Sequence, residues 1–368
     1  MNKIRILHIY NIMNMGGAEN FIMNVYRNIN REKYCFYFLC LSRDKGIFDK
    51  EIKELGGKIL YFDNYNKKNF LKTILEFKKI LIYNRIDVVH LPIHFYSGVF
   101  CISAHLAHIK RVIVHAHSAS DNRNNIFNKI YRIIMRNIIN KYATDKIACG
   151  KAAGKYLFGK NKKFEIMYNG INLKRALLVN EKQVKNIKEK LNINSNTIII
   201  GHIGRFVSLK NHKFFIRLAE ALKQKQVNFI FLLIGDGEER GNLEELISEK
   251  KLNSYFHFLG IQQDIPLYAS TFNVMVMPSL YEGFPITIIE SLACGIPCLL
   301  SDTITKEVSV IEDIVCFRNL NDNIELWCND IIKLSRIKKN KTNCIKILEK
   351  KGFSVISIVK RLEKLYEI

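Results

Sequence analysis

Acidic residues are scarce in this chain. There are 34 Asp and Glu against 57 Lys and Arg, a formal charge of +23 over 368 residues. None of the nine cysteines stands in a Cys-x-x-Cys or His/Cys metal spacing, and the nearest approach is Cys294 and Cys298 across a Gly-Ile-Pro turn. That pattern argues against a disulfide scaffold or a zinc module and for reduced packing thiols in a cytosolic protein. No segment reaches the roughly 18 apolar residues of a spanning helix, and the opening "MNKIRILHIY" is too short an apolar run for a signal peptide. A soluble or peripheral protein is therefore expected. Internal repeats and low-complexity tracts are also missing, as is a Gly-x-Gly-x-x-Gly dinucleotide fingerprint.

The acid deficit is uneven. Up to Arg175 there are 31 Lys and Arg against 12 Asp and Glu, whereas the remainder holds 26 against 22. A compositional bias of the genome would load both halves alike, so the first half is expected to meet an anionic partner, either nucleic acid or an anionic membrane.

With 48% hydrophobic residues, the chain can bury two cores. Short β-rich runs alternate with helical patterns: "IRILHIY", "YCFYFLCL", "KILYF", "DVVHL" and "RVIVHAH", then "TIIIGHIG", "NFIFLLIG", "YFHFLG", "FNVMVMP" and "IPCLLS". Such alternation predicts α/β architecture: two doubly wound, Rossmann-like parallel-sheet domains facing a cleft. The boundary is placed after "IMYNGIN". An N-terminal domain covers 1–175 and a C-terminal domain 176–350, and a last helix in 351–368 is expected to pack back on the first domain.

The stretch "LYEGFPITIIESLACGIPC" sets Glu282 and Glu290 on either side of a Gly-Phe-Pro break. If Pro285 opens the helix, the two acids flank a helix N-terminus, whose free amides favour anions. A ligand with both hydroxyls and phosphates suits that pairing, although a solvated loop acid and a helix-dipole acid account for it equally. Gly16 and Gly17 precede a helix start near Glu19, where backbone amides can approach a ligand or simply turn. Arg205 and Lys210 bracket the loop after "TIIIGHIG", placing a guanidinium and an ammonium where a diphosphate could be clamped. His115 and His117 end a strand on one side of it, as packed histidines or as site residues.

Taken in order, "GGAE", "HAHS", "YNGIN", "GRFVSLKNH", "IGDGEER", "FLG" and "EGFPITIIESLACGIPCLLSD" resemble the GT-B-fold glycosyltransferases of family 4, over nearly the whole chain. Among these the sequence is similar to bacterial enzymes of capsular and exopolysaccharide synthesis. Glu282 and Glu290 fit the family's E-x7-E motif. The resemblance implies a retaining, nucleotide-sugar-dependent hexosyltransferase acting on a lipid-linked saccharide. No resident cofactor and no metal are implied, and the donor is expected to be a UDP-sugar rather than a GDP-sugar.

By the same resemblance, Glu282 would sit by the donor sugar and Glu290 would hold the ribose hydroxyls. The segment Gly283, Phe284, Pro285, Ile286 and Thr287 would contact sugar or diphosphate. Arg205 and Lys210 would bind the diphosphate, Gly16 and Gly17 would close over it from the other domain, and His117 would touch the transferred sugar. The loop at Gly260 and Ile261 would hold the base. Asn211 stands where many members have Gly.

Apolar residues at 126, 127, 130, 133, 134 and 138 are interleaved with Arg123, Lys129, Arg132 and Arg136. The pattern suits a helix packed on a sheet, or one that docks a peripheral enzyme on the inner face of the cell membrane beside its acceptor. A same-fold nucleotide-sugar epimerase and a basic nucleic-acid-binding protein are the rival readings. The second lacks any recognised binding motif, so no nucleic-acid partner is expected.

Overall fold

A computed structural model describes residues 3–63, 69–119 and 125–368. Among them the chain divides into two compact units, 1–170 with 355–368, and 171–354. The division falls after Gly170, and the chain returns to the first unit at Val355.

The first unit holds seven parallel strands: β1 (Ile4–Tyr10), β2 (Tyr34–Cys40), β3 (Lys58–Tyr61), β4 (Val88–Leu91), β5 (Arg111–Ala116), β6 (Asp145–Ala148) and β7 (Glu165–Ile166). Their order is β3-β2-β1-β4-β5-β6-β7. The second unit holds β8 (Ile198–Ile203), β9 (Phe229–Ile234), β10 (Phe256–Gly260), β11 (Val274–Met277), β12 (Cys298–Ser301) and β13 (Val315–Arg318), ordered β10-β9-β8-β11-β12-β13. Parallel neighbours cannot be joined by tight turns, so helices cross over both faces and the central strands are buried on both sides. This is why β9 reads as the unbroken apolar run "FIFLLI", with every residue buried. In each sheet the strand order reverses once, between β1 and β4 and between β8 and β11. Such a reversal opens a crevice beyond the strand C-termini.

The last helix, Val355–Tyr366, belongs to the first unit. Val355, Ile358, Val359, Leu362 and Tyr366 enter its core beside Ile6 and Phe36. Arg361 pairs with Glu165 and donates to the Ile166 carbonyl at 2.7 Å, while the Tyr34 hydroxyl donates to the Glu363 carbonyl at 3.2 Å. Gly170, in "YNGIN", suits this docking: a β-carbon there would lie 2.4 Å from Ile358 Cδ1 and 3.0 Å from the Val355 Cα. The glycine serves a close approach of backbone to helix.

Histidine is unusually deep in both sheets. His8, His90, His115, His202 and His212 are buried, and the ring nitrogens of His117 are shielded. Burial is the chief cause holding all six below the usual imidazole range, to about 3 for His90 and His117 and about 4 for His212. The unfolded chain takes up these protons near pH 6.5 and the folded chain only at lower pH, so stability is full above that value and falls as pH drops below it. The six outnumber the two carboxyls that burial shifts upward, Glu19 and Glu290. The urea midpoint is therefore expected to fall steadily between pH 7 and pH 5. A flat midpoint over that range would show that these rings are not kept neutral.

Candidate active site

The second unit brings most of the expected residues together. Because β8 and β11 are neighbours, the loops after them start side by side. Leu280 donates its amide to the Leu209 carbonyl at 2.8 Å, Asn211 Nδ2 donates to the Pro278 carbonyl at 3.1 Å, and Lys210 Nζ pairs with Glu282 Oε1. Ser279 Oγ also donates to Glu282 Oε1, at 3.1 Å. The Ser279 carbonyl is in turn held by Ser301 Oγ at 2.6 Å and Thr303 Oγ1 at 2.7 Å. Lys210 and Glu282 are both largely buried, so each charge is offset by the other. Arg205 is exposed, and its guanidinium has no partner among the described residues.

Asn211 sits at φ 56 and ψ 44, in the left-handed region. Only glycine adopts this freely, and Asn is among the few L-residues that tolerate it. Asn therefore preserves the path of a glycine here and adds a side-chain tie to the neighbouring loop. On the other side of the loop after β8, a β-carbon on Gly235 would lie 2.0 Å from the Gly204 carbonyl oxygen, and the Gly235 amide donates to the Gly260 carbonyl at 2.8 Å. Gly260, at φ +63, and exposed Ile261 thus join the same row of loops.

Helix Ile286–Ala293 begins directly after Pro285, its N-cap residue. Phe284 stacks on Phe353 at 5.8 Å, and the Thr287 hydroxyl is buried without a hydrogen bond among the described residues. Nothing lies within 4 Å of a β-carbon built on Gly283. Glu290, in the second turn, is pushed up to about 7 by burial, against the opposing pull of Arg175. Arg175 also contacts Asp264 at 3.4 Å. Neither Arg175 nor Asp264 is conspicuous in the sequence: one lies in the short helix Leu173–Leu178 and the other just before helix Ile265–Ala269, and only folding brings Arg175 within reach of Glu290 and Asp264.

In the first unit, Gly16 is the N-cap of helix Gly17–Asn28, two residues earlier than the expected start at Glu19. The Glu19 carboxylate folds back over it, with Oε2 2.2 Å from where a Gly16 β-carbon would be. An acid absent from the expected site thus lies against the Gly16–Gly17 turn. His117 follows β5, and its ring centroid is 3.9 Å from that of His115. Both rings touch Phe21 of the same helix, at 4.8 Å from His115 and 5.6 Å from His117.

Helix Ile126–Tyr142 packs only part of its apolar stripe: Ile138 lies half-buried against the core of the first unit. Met135 and Ile139 are its buried residues, whereas Ile126, Phe127, Ile130, Ile133 and Ile134 are exposed, Phe127 at 78%. Lys129 is exposed beside them. Arg132 and Arg136, expected on the membrane side, are half-buried and make hydrogen bonds within the first unit. Arg132 donates to the Tyr156 hydroxyl at 2.8 Å, and Arg136 donates to the carbonyls of Tyr156 at 2.8 Å and Leu157 at 3.2 Å. Arg123 lies outside the described residues.

Two family models divide the chain between them: Glycosyltransferase Family 4 matches residues 15–175, and Glycosyl transferases group 1 matches residues 183–351. EpsF of Bacillus subtilis, assigned as a glycosyltransferase, is 33% identical over 99% of this chain and 96% of its own length. The UDP-Gal:alpha-D-GlcNAc-diphosphoundecaprenol alpha-1,3-galactosyltransferase of Escherichia coli is 23% identical over 99% of this chain and 97% of its own. Among solved structures, HepE of Anabaena in complex with UDP superposes with a TM-score of 0.80 at 18% identity, covering 99% of each chain.

The left-handed backbone at Asn211 gives a direct test. Asn211→Val is expected to cost roughly 2–3 kcal/mol, from strain in that conformation plus the lost hydrogen bond to Pro278. Asn211→Gly is expected to cost about 1 kcal/mol or less, since only the hydrogen bond is lost. Urea unfolding of both variants reads the difference, and equal losses would show that the backbone conformation is not what the position requires.

Proposed function

Because the chain belongs to glycosyltransferase family 4, with the GT-B fold, we propose that it transfers a hexose from a UDP-sugar to a hydroxyl of a lipid-linked saccharide, with retention of anomeric configuration, in surface polysaccharide synthesis. The observation that carries this reading is the grouping of Lys210, Glu282 and the unpartnered Arg205 on the adjoining loops after β8 and β11. The acceptor hydroxyl attacks the anomeric carbon on the face from which the nucleoside diphosphate departs. The bond from that carbon to the phosphate oxygen breaks, and a phosphate oxygen takes the hydroxyl proton. Charge grows on the leaving diphosphate, so cations and bare amides aimed there contribute most. Arg205 and Lys210 meet it, together with the amides at the start of helix Ile286–Ala293. These groups suffice without a metal ion.

Glu282 stands beside the donor sugar and holds Lys210. Glu290 accepts from the ribose hydroxyls, Gly260 and Ile261 border the base, and Gly16 and Gly17 offer amides to the diphosphate once the Glu19 carboxylate moves aside. His117 touches the transferred sugar. Donor binding through Glu290 requires its carboxylate, so affinity rises as pH passes upward through about 7.

The acceptor side is a membrane surface. No helix among the described residues is long and apolar enough to cross a membrane. The exposed stripe of helix Ile126–Tyr142 is matched by exposed Leu71 and Leu75 on helix Phe70–Tyr83, which joins it through Phe70 stacked on Tyr131 at 6.5 Å. Apolar side chains in a strongly basic unit suit shallow insertion into anionic lipid, where each nearby Lys or Arg adds about 1 kcal/mol. The enzyme would then sit peripherally on the cytoplasmic face.

Two experiments test these readings. Incubation with UDP-glucose or UDP-galactose and a lipid-diphosphate-linked amino sugar should release UDP only when the acceptor is present. Conversion of the free donor to its epimer would reject transfer. Glu290→Ala is expected to weaken donor binding by roughly 1.5–3 kcal/mol, and unchanged affinity in the folded variant would remove Glu290 from the site. For the membrane, cosedimentation should occur with anionic but not neutral vesicles, and Phe127→Ser with Ile130→Ser should abolish it. Binding that ignores both lipid charge and these substitutions would return the stripe to a different partner.

A further inference from the structure

The turn that follows β12 carries two hydroxyls to which no role has yet fallen. Ser301 ends the strand, and Thr303 stands two residues later. Ser301 Oγ lies 2.6 Å and Thr303 Oγ1 2.7 Å from the Ser279 carbonyl oxygen, and the two hydroxyls are 2.8 Å apart. Ser279 and Ser301 are fully buried, and a carbonyl left there without a donor is costly. With one proton on each hydroxyl, both can donate to the carbonyl, or one can donate to it while the other donates to its neighbour. The carbonyl is held either way.

The same turn grips the loop after β11 at two points. At the start of that loop, the anchored Ser279 aims its own hydroxyl at Glu282, whose Oε1 accepts it at 3.1 Å. Further on, the Glu282 backbone pairs in parallel with buried Ile304, and the Ile304 amide donates to the Ser301 carbonyl at 3.2 Å, closing the turn. Lys210 Nζ also pairs with Oε1. Both contacts therefore fall on one oxygen of the carboxylate, and no hydrogen bond reaches Oε2 among the described residues. A carboxylate oxygen offers two lone pairs, so Oε1 is filled and Oε2 is left for a ligand.

We propose that Ser301 and Thr303 are positioning residues for Glu282: by holding the Ser279 carbonyl they keep the Ser279 hydroxyl on Oε1, which leaves Oε2 to accept from a hydroxyl of the donor sugar. The proposal rests on the reading of Glu282 as the residue beside that sugar. Without the two hydroxyls, the Ser279 peptide loses its anchor and its side chain withdraws from Oε1. Lys210 is then the one side-chain partner that Glu282 retains, and the ammonium draws the carboxylate round until both oxygens face it. Oε2 is lost to the sugar. The turn after β12 thus bears on the sugar half of the donor, whereas the nucleotide half falls to Glu290 and Arg205.

The test compares UDP with UDP-glucose and UDP-galactose by titration calorimetry on the full chain. Ser301→Ala with Thr303→Val removes both hydroxyls with little change of shape, and Thr303→Ser keeps its hydroxyl. The double variant should bind the UDP-sugar on the order of tenfold more weakly with its affinity for UDP unchanged, and Thr303→Ser should match the wild type. Equal weakening toward UDP and UDP-sugar would show that the turn only supports the loop, and an unchanged UDP-sugar affinity would reject the role outright. Glu282→Ala should lose the same sugar-dependent part of the affinity, and its retention would remove Glu282 from the sugar and the proposal with it. Crystal structures without ligand need no donor. The wild type should hold Glu282 with one oxygen on Ser279 and Lys210, and the double variant should show both oxygens turned to Lys210. The same placement in both would overturn the proposal. A wild type that binds neither UDP-sugar would count against the transferase reading, and the structures would still decide what Ser301 and Thr303 do to Glu282.

Discussion

The parallel pairing of β8 with β11 is the constraint on which the candidate site depends. Two strands far apart in sequence become neighbours where the strand order reverses, and their loops have no helix between them at that point. Lys210 from one loop can then reach Glu282 from the other. Burying either charge alone would be strongly unfavourable, and the pair offsets that cost only while both remain. The Asn211 and Leu280 hydrogen bonds keep the two loops in register, so the pair follows from the backbone path.

This pairing has a consequence for a diphosphate ligand. An anion arriving at Lys210 would compete with a carboxylate already there, whereas Arg205 has no side-chain partner among the described residues. Under the proposed function, Arg205 would suit first capture, and Lys210 a contact that strengthens as negative charge grows on the leaving group. The Gly16–Gly17 turn has a parallel feature, since the Glu19 carboxylate covers the helix start that an anion would use. Each unit therefore holds an internal acid against the groups expected to bind phosphate.

The first unit solves another problem. A sheet buried on both faces has no place for charge, yet histidine recurs on three adjacent strands. Burial keeps the rings neutral, and hydrogen bonds linking Tyr366 with His90 and His90 with His115 satisfy part of their polar edge. The last helix, returning from the end of the second unit, supplies the phenol that terminates this chain. Gly170 suits its docking, since a β-carbon there would lie against Ile358.

Much of this was legible in the sequence because it is local. Apolar runs such as "NFIFLLIG" mark buried parallel strands by composition alone, and Pro285 marks a helix start because its φ is fixed. The E-x7-E spacing identifies the loop-helix unit of the family. Other features needed the tertiary structure. Periodicity finds the stripe on helix Ile126–Tyr142, but whether that stripe meets the sheet or the solvent depends on which face the neighbouring helices leave uncovered. Composition finds Arg132 and Arg136, but their orientation toward Tyr156 and Leu157 is a matter of packing. Arg175 near Glu290, Lys210 against Glu282 and Tyr366 on His90 join residues from distant parts of the chain. The sequence by itself determined the strands and the helix starts, because these follow from short-range sterics and hydrophobic burial, and it pointed to the class of chemistry through its resemblance to the family. The tertiary structure alone decided which charges and rings meet, because contact between them is set by strand order and by the path of the last helix.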